Sequence, residues 1–128
     1  MNADYTAEEP TLNAVNTLEG PTLIEFGTAW CGFCRAAQPL LAAALVDYPQ
    51  LRHFKIEDGP GRPLGRAFQV KFWPTLIFIR DGQVLARVVR PNSIQEIMEG
   101  LKTITPLPDD PLIMKSALSS DADLNEKN

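Results

Sequence analysis

The amino-acid sequence predicts an α/β domain in which a central mixed β-sheet is flanked by helices on both faces. Three observations lead there. Short runs rich in β-branched and aromatic residues alternate with segments of helical period, as crossover connections between parallel strands require. Asp81-Gly82 separates two of those runs, a two-residue hairpin signal that adds an antiparallel pair. The last periodic segment is amphipathic and completes the order strand, helix, strand, helix, hairpin, helix.

Ahead of the first strand, residues 9–20 read as a short amphipathic helix, with Pro10 near its start, Leu12, Val15 and Leu18 in phase, and Gly20 at its end. Thr22 to Gly27 is a buried strand bounded by Pro21 and Gly27. From Cys31 to about Asp47 the Ala- and Leu-rich composition favours a helix, kinked at Pro39 because an interior proline removes a hydrogen bond and clashes with the preceding turn. Leu51 to Glu57 alternates and reads as a second strand with Phe54 and Ile56 on one face. Arg62 to Phe68 suits a short helix, and Asp58 to Gly65 suits a turn leading into it; that loop lacks the Gly-Lys-Ser/Thr ending of a phosphate loop. Thr75–Arg80 and Gln83–Val89 form the hairpin strands. Ser93 to Ile104 closes the domain with Ile94, Ile97, Met98 and Leu101 on one face.

A chain of 128 residues with 45% apolar content fits one domain with an ordinary core. We expect that domain over residues 1–105 and an acidic, mostly disordered tail over 106–128, where prolines and then Ser, Asp and Asn replace the periodic text. The tail holds five acids and two bases, so it carries most of the formal charge of −4. No basic stripe points to nucleic acid. The first ten residues are acidic where a secretory signal would be basic and then apolar, and no run approaches the roughly 18 apolar residues of a membrane span, so a cytoplasmic protein with no membrane partner is expected.

The chain has only two cysteines, in Trp30-Cys31-Gly32-Phe33-Cys34. Residues three apart on a helix share a face, with Cβ atoms roughly 5–6 Å apart, so a small adjustment brings the sulfurs into disulfide range. The N–H groups at the helix start favour a thiolate at Cys31, while Cys34 lies a turn deeper as a thiol. A zinc site needs four ligands, and the remaining soft ligand is the single His53; a half-site completed by a second subunit is the alternative. A structural disulfide across so short a loop gains little closure entropy. Redox chemistry is the favoured reading, without metal or cofactor, and His53 reads as a surface residue of its strand.

The order strand, Trp-Cys-Gly-x-Cys, kinked helix, strand with Lys, and x-Pro-Thr before a strand ending in x-Asp-Gly resembles the thioredoxin family over about residues 3–104. The resemblance implies the thioredoxin fold and a thiol–disulfide oxidoreductase, monomeric, that reduces disulfides of client proteins and is itself re-reduced by a donor such as a thioredoxin reductase. It implies that Cys31 is the nucleophile and Cys34 the resolving thiol. It matches Pro74 to the family's cis-proline, which would leave the Trp73 backbone free to pair with an extended client. It matches Glu25 to the family's buried acid, usually Asp, and Lys55 to its neighbouring lysine. A buried carboxylate with a raised pKa would accept the Cys34 proton near neutral pH; the alternative is an ion pair with Lys55 that moves no proton.

Two further residues depart from the family pattern. Phe33 stands where thioredoxins carry Pro, and keeps an N–H able to point at the Cys31 sulfur. Arg90 stands where they place Gly, either narrowing the client surface or snorkelling to solvent. Trp30, Gly32, Phe33, Trp73 and Pro74 are the expected client-binding residues around Cys31, with Trp30 also expected to pack the loops. Two other functions stay open from sequence: a redox-idle binding or chaperone-like module on the same scaffold, and a disulfide isomerase.

Overall fold

The computed structural model describes residues 4–105; the expected tail of 106–128 lies outside the described residues. The elements run α1 (Leu12–Asn16), β1 (Pro21–Gly27), α2 (Gly32–Leu45), β2 (Arg52–Glu57), α3 (Pro63–Ala67), β3 (Thr75–Arg80), β4 (Gln83–Val89) and α4 (Ile94–Ile104). The strands form one mixed sheet in the order β2-β1-β3-β4, with β1 parallel to β2 and antiparallel to β3. The thioredoxin fold expected from the sequence is the one observed.

Each helix buries one stripe against a sheet face. Leu41 and Ala44 of α2 and Ile97, Leu101 and Ile104 of α4 pack on Leu23, Leu76 and Phe78. Val15 of α1 and Leu64 of α3 pack on Ile24, Phe26, Ile56, Ile77 and Ile79 of the opposite face. Burial of each such side chain contributes about 1.5–3 kcal/mol, and the central strands β1 and β3, buried along nearly their whole length, carry most of it. Ile94 is the exception to the predicted α4 face and stays 42% exposed; the buried stripe is carried instead by Ile97, Gly100, Leu101 and Ile104, one turn further along.

The Asp81-Gly82 turn takes positive φ at both residues, 52° and 80°, as a two-residue hairpin of this twist requires. A Cβ at Gly82 would also lie 2.0 Å from the Asn16 carbonyl oxygen, so the turn packs on the end of α1. Ahead of α1 the chain runs beside β2: the Thr6 N–H donates to the Lys55 carbonyl at 2.8 Å and the Glu57 N–H to the Thr6 carbonyl at 2.8 Å. This single parallel bridge, Thr6 with Ile56, pins the first described residues against the sheet edge.

Candidate active site

Strand β1 ends at Gly27 and the chain turns into α2 with Cys31 as its N-cap residue. The Cys31 sulfur therefore takes the role of a capping acceptor. It receives the Cys34 N–H at 3.3 Å and lies 3.9 Å from the Trp73 carbonyl oxygen. Phe33 was the residue expected to aim its N–H at this sulfur, but the N–H that reaches it is one residue further along, as N-cap geometry dictates. Cys31 is 8% exposed and Cys34 1% exposed, and both are free thiols. One sulfur thus sits at the rim and the other directly behind it.

Behind the cysteines lies a polar cluster in the apolar face of the sheet. Glu25, fully buried, pairs in register with Lys55 across β1 and β2, and His53 sits two residues earlier on the same face. The His53 imidazole meets Glu25 Oε1 at 3.1 Å. The Tyr5 hydroxyl donates to Glu25 Oε2, and the Gln38 amide donates to the same oxygen at 2.8 Å. Gln38 also donates to the Cys34 carbonyl at 2.9 Å and accepts from the Lys55 ammonium at 2.7 Å. Lys55 thus joins the cluster through Gln38 and through its charge on Glu25.

These contacts overturn two expectations. Burial by itself raises the Glu25 pKa, but hydrogen bonds from His53, Tyr5 and Gln38 and the charge of Lys55 outweigh it, so the carboxyl is held below the usual glutamate range. Glu25 is an ionised acceptor at neutral pH, not the raised-pKa acid expected from the sequence. His53 was expected on the surface; it is half-buried against Glu25. The Cys34 thiol is pushed up to about 12, first by burial, then by the hydrogen bond and charge of the Cys31 sulfur, against opposing hydrogen bonds from the Thr28 backbone and Tyr5.

Across from the dithiol, the Trp73–Pro74 peptide is cis. The Trp73 indole N–H is anchored on Asp58 Oδ2 at 2.8 Å, and the ring meets Trp30 edge-on with centroids 5.6 Å apart. Trp30 itself is 70% exposed, so it belongs to the outer surface more than to the loop packing expected of it. Arg90 does not snorkel to solvent. Its Nε donates to the Trp73 carbonyl at 2.9 Å, and its guanidinium lies 3.9 Å from the Phe33 ring centroid and 5.2 Å from that of Phe72. Arg90 adopts φ of 50°, the left-handed region that a glycine occupies freely and any other L-residue at some cost. The result is a rim of Trp30, Phe33, Phe72 and Arg90 around a nearly covered sulfur.

Sequence reasoning placed Cys31, Cys34, Glu25, Lys55, Trp73 and Pro74 in one neighbourhood, and the fold brings them together. It passed over Gln38, Tyr5 and Asp58. Gln38 is four residues beyond Cys34 on the same helix face, so helical spacing alone pointed to it. Tyr5 lies outside any periodic segment and carried no such signal.

A rim thiol backed by a buried one, set against a cis Trp73–Pro74 peptide at the start of β3, is the architecture of a dithiol-exchange protein of the thioredoxin fold. The thioredoxin family model matches residues 5–103, and the chain belongs to the thioredoxin family, whose members are thiol–disulfide oxidoreductases. It is 36% identical over 87 residues to a thioredoxin of Rhodospirillum rubrum, covering 66% of this chain and 78% of that one. It is 26% identical over 98 residues to thioredoxin Asp f 28 of Aspergillus fumigatus, covering 77% and 91%. Among solved structures, reduced thioredoxin 2 of Pseudomonas aeruginosa PAO1 superposes with a TM-score of 0.72 at 57% identity, over 80% of this chain and 94% of that one. Among the described residues no helix is long and apolar enough to cross a membrane.

Proposed function

We propose that this thiol–disulfide oxidoreductase works as a reductant of protein disulfides in a reducing compartment such as the cytoplasm. The observation that carries the reading is the depth order of the two sulfurs: Cys31 at the rim under the Cys34 N–H, Cys34 sealed behind it. Cys31 attacks a client disulfide, one client sulfur leaves as a thiolate, and Cys31 is joined to the other in a mixed disulfide. Cys34 then attacks the Cys31 sulfur, the client leaves with both sulfurs reduced, and the Cys31–Cys34 disulfide remains. A donor of two electrons, of the thioredoxin reductase kind, restores the dithiol.

The client is held as an extended segment against the Trp73 backbone beside the cis-proline, within the apolar rim of Trp30 and Phe33. Arg90, already on the Trp73 carbonyl, must share that acceptor with the client, so the surface favours clients that offer the guanidinium a replacement. An insulin reduction assay tests the reading. Wild-type protein with dithiothreitol as donor is expected to precipitate insulin well ahead of the donor alone, and Cys31→Ser is expected to do no better than the donor. Full activity in Cys31→Ser would rule the mechanism out.

A further inference from the structure

We propose that Tyr5 is the proton relay of the resolving step: its hydroxyl takes the thiol proton of Cys34 while passing its own proton to Glu25 Oε2. This rests on the dithiol mechanism proposed above and adds a residue to it. The geometry begins with the Thr6 bridge to β2, which lays Tyr5 over the buried cluster with the Lys55 ammonium 4.7 Å from its ring centroid. Its hydroxyl donates to Glu25 Oε2 on one side and lies beside the Cys34 sulfur on the other. Gly27 makes room for this meeting. A Cβ there would lie 2.6 Å from the Cys34 sulfur and 2.9 Å from the Tyr5 oxygen, so the two atoms share the space over one bare Cα.

The direction of the relay follows from donor counting. A carboxylate only accepts, and a phenol has one proton and two lone pairs. The Tyr5 proton therefore points at Glu25, and its lone pairs are left for the Cys34 S–H. In the step itself Cys34 keeps the electrons of its S–H bond as a thiolate pair and attacks the Cys31 sulfur. The bond between Cys31 and the client breaks, its electron pair leaves on the client sulfur, and that sulfur takes a proton from solvent. Tyr5 ends as a neutral phenol, as it began. Burial, then the charge and hydrogen bond of Glu25, hold its own pKa well above the usual tyrosine value, so it passes protons without ionising. Glu25 holds the transferred proton only transiently and returns it to solvent on the side of His53 and Lys55, which line a cavity of about 670 Å³.

The relay is timed by the mixed disulfide. In the reduced protein the Cys31 sulfur is among the causes that keep Cys34 protonated. Once Cys31 is bonded to a client it carries no charge, and the Thr28 hydrogen bond that favours the Cys34 thiolate remains; the Tyr5 hydroxyl favours that thiolate only after the relay has turned its proton toward the sulfur. The charged and titratable groups facing the relay are Cys31 from the α2 terminus, Glu25 from β1, and His53 and Lys55 from β2.

Reaction with an aromatic disulfide reagent, bis(nitrobenzoate) disulfide, separates the two steps, because one coloured thiol leaves when Cys31 attacks and a second when Cys34 resolves. Tyr5→Phe keeps the ring on Lys55 and removes only the hydroxyl. Its first phase is expected at the wild-type rate and its second about 100-fold slower at neutral pH. That second phase should rise with pH as hydroxide replaces the relay, while the wild-type phase stays flat. A second phase unchanged in rate and pH profile would overturn the proposal and leave the dithiol mechanism standing; loss of both coloured steps in the wild type would overturn the mechanism. Where Tyr5→Phe fails to fold, the wild-type second phase is measured in mixtures of light and heavy water. Two protons in flight predict a bowed dependence on deuterium content, and a straight line or no dependence overturns the relay.

Discussion

Cys34→Ser is expected to turn a recycling reductant into a stoichiometric trap. Serine keeps the size of the side chain behind Cys31 but removes the sulfur that displaces the client. Its hydroxyl does not take over, because an alcohol is a far weaker nucleophile than a thiolate toward a disulfide. Attack by Cys31 is preserved, since Cys31 keeps the Cys34-position N–H at its sulfur and its place at the α2 terminus. Release is then left to external thiols. Non-reducing gels of cell extract should show a ladder of covalent adducts on Cys34→Ser that disappears with reductant and is absent from the double variant lacking both cysteines. Steady-state turnover in the same variant should fall at least about 100-fold. Adducts on the double variant would mean that clients are held through something other than Cys31.

The second large effect concerns stability. Glu25 collects donors from His53, Tyr5 and Gln38 inside the sheet face. Glu25→Ala leaves three donors facing a cavity beside the Lys55 charge, and a loss of about 3–5 kcal/mol is expected, or about 20 °C in melting temperature. The sign is informative. Were burial to dominate, the carboxylate would be a strained charge and its removal would stabilise the fold at neutral pH. Here the hydrogen bonds dominate and hold the pKa down. A carboxyl depressed in the folded state contributes stability that is complete above the unfolded glutamate value, about 4.3, and lost as the pH falls through and below it. The urea midpoint of the wild type should therefore decline between about pH 5 and pH 3, and the difference from Glu25→Ala should shrink over the same window. At the alkaline end the raised Cys34 thiol acts the other way: its contribution is complete below the ordinary cysteine value, about 8.5, and fades as the pH climbs toward about 12. A Glu25→Ala variant more stable than wild type at pH 7 would contradict the hydrogen-bonding picture of the cluster.

The parts of the molecule legible in the sequence are those where one physical rule acts alone. Hydrophobic period gave the strands and helices within a few residues, and Asp81-Gly82 fixed the hairpin because positive φ at two successive positions leaves little other choice of residue. The cysteine spacing placed both sulfurs on one helix face, and the family resemblance set Lys55 beside Glu25, which the structure pairs in register across β1 and β2. What stayed hidden depends on groups that meet only in three dimensions. The ionisation of Glu25 is the sum of four partners on three segments, of which the sequence pointed to Lys55 alone. His53 looked like a surface strand residue because its period-2 partnership with Lys55 places it toward α2, a packing that no local pattern announces. Tyr5 sits in an irregular segment tied down by one backbone bridge. Arg90 was ambiguous for a different reason: a long side chain has many exits, and only the Trp73 carbonyl and the Phe33 ring decide among them.

Phe33 separates the two sulfurs of the redox couple. It stands between the cysteines, 56% exposed under Arg90, and supplies neither a proline's rigidity nor a histidine's proton. The equilibrium midpoint of the Cys31–Cys34 couple in graded glutathione buffers, read by thiol alkylation and mass spectrometry, tests the reductant reading most directly. A protein that reduces client disulfides should be half-oxidised at about −230 mV or below, on the reducing side of glutaredoxin-like couples. A midpoint at about −180 mV or above, the range of disulfide isomerases and oxidants, would contradict it.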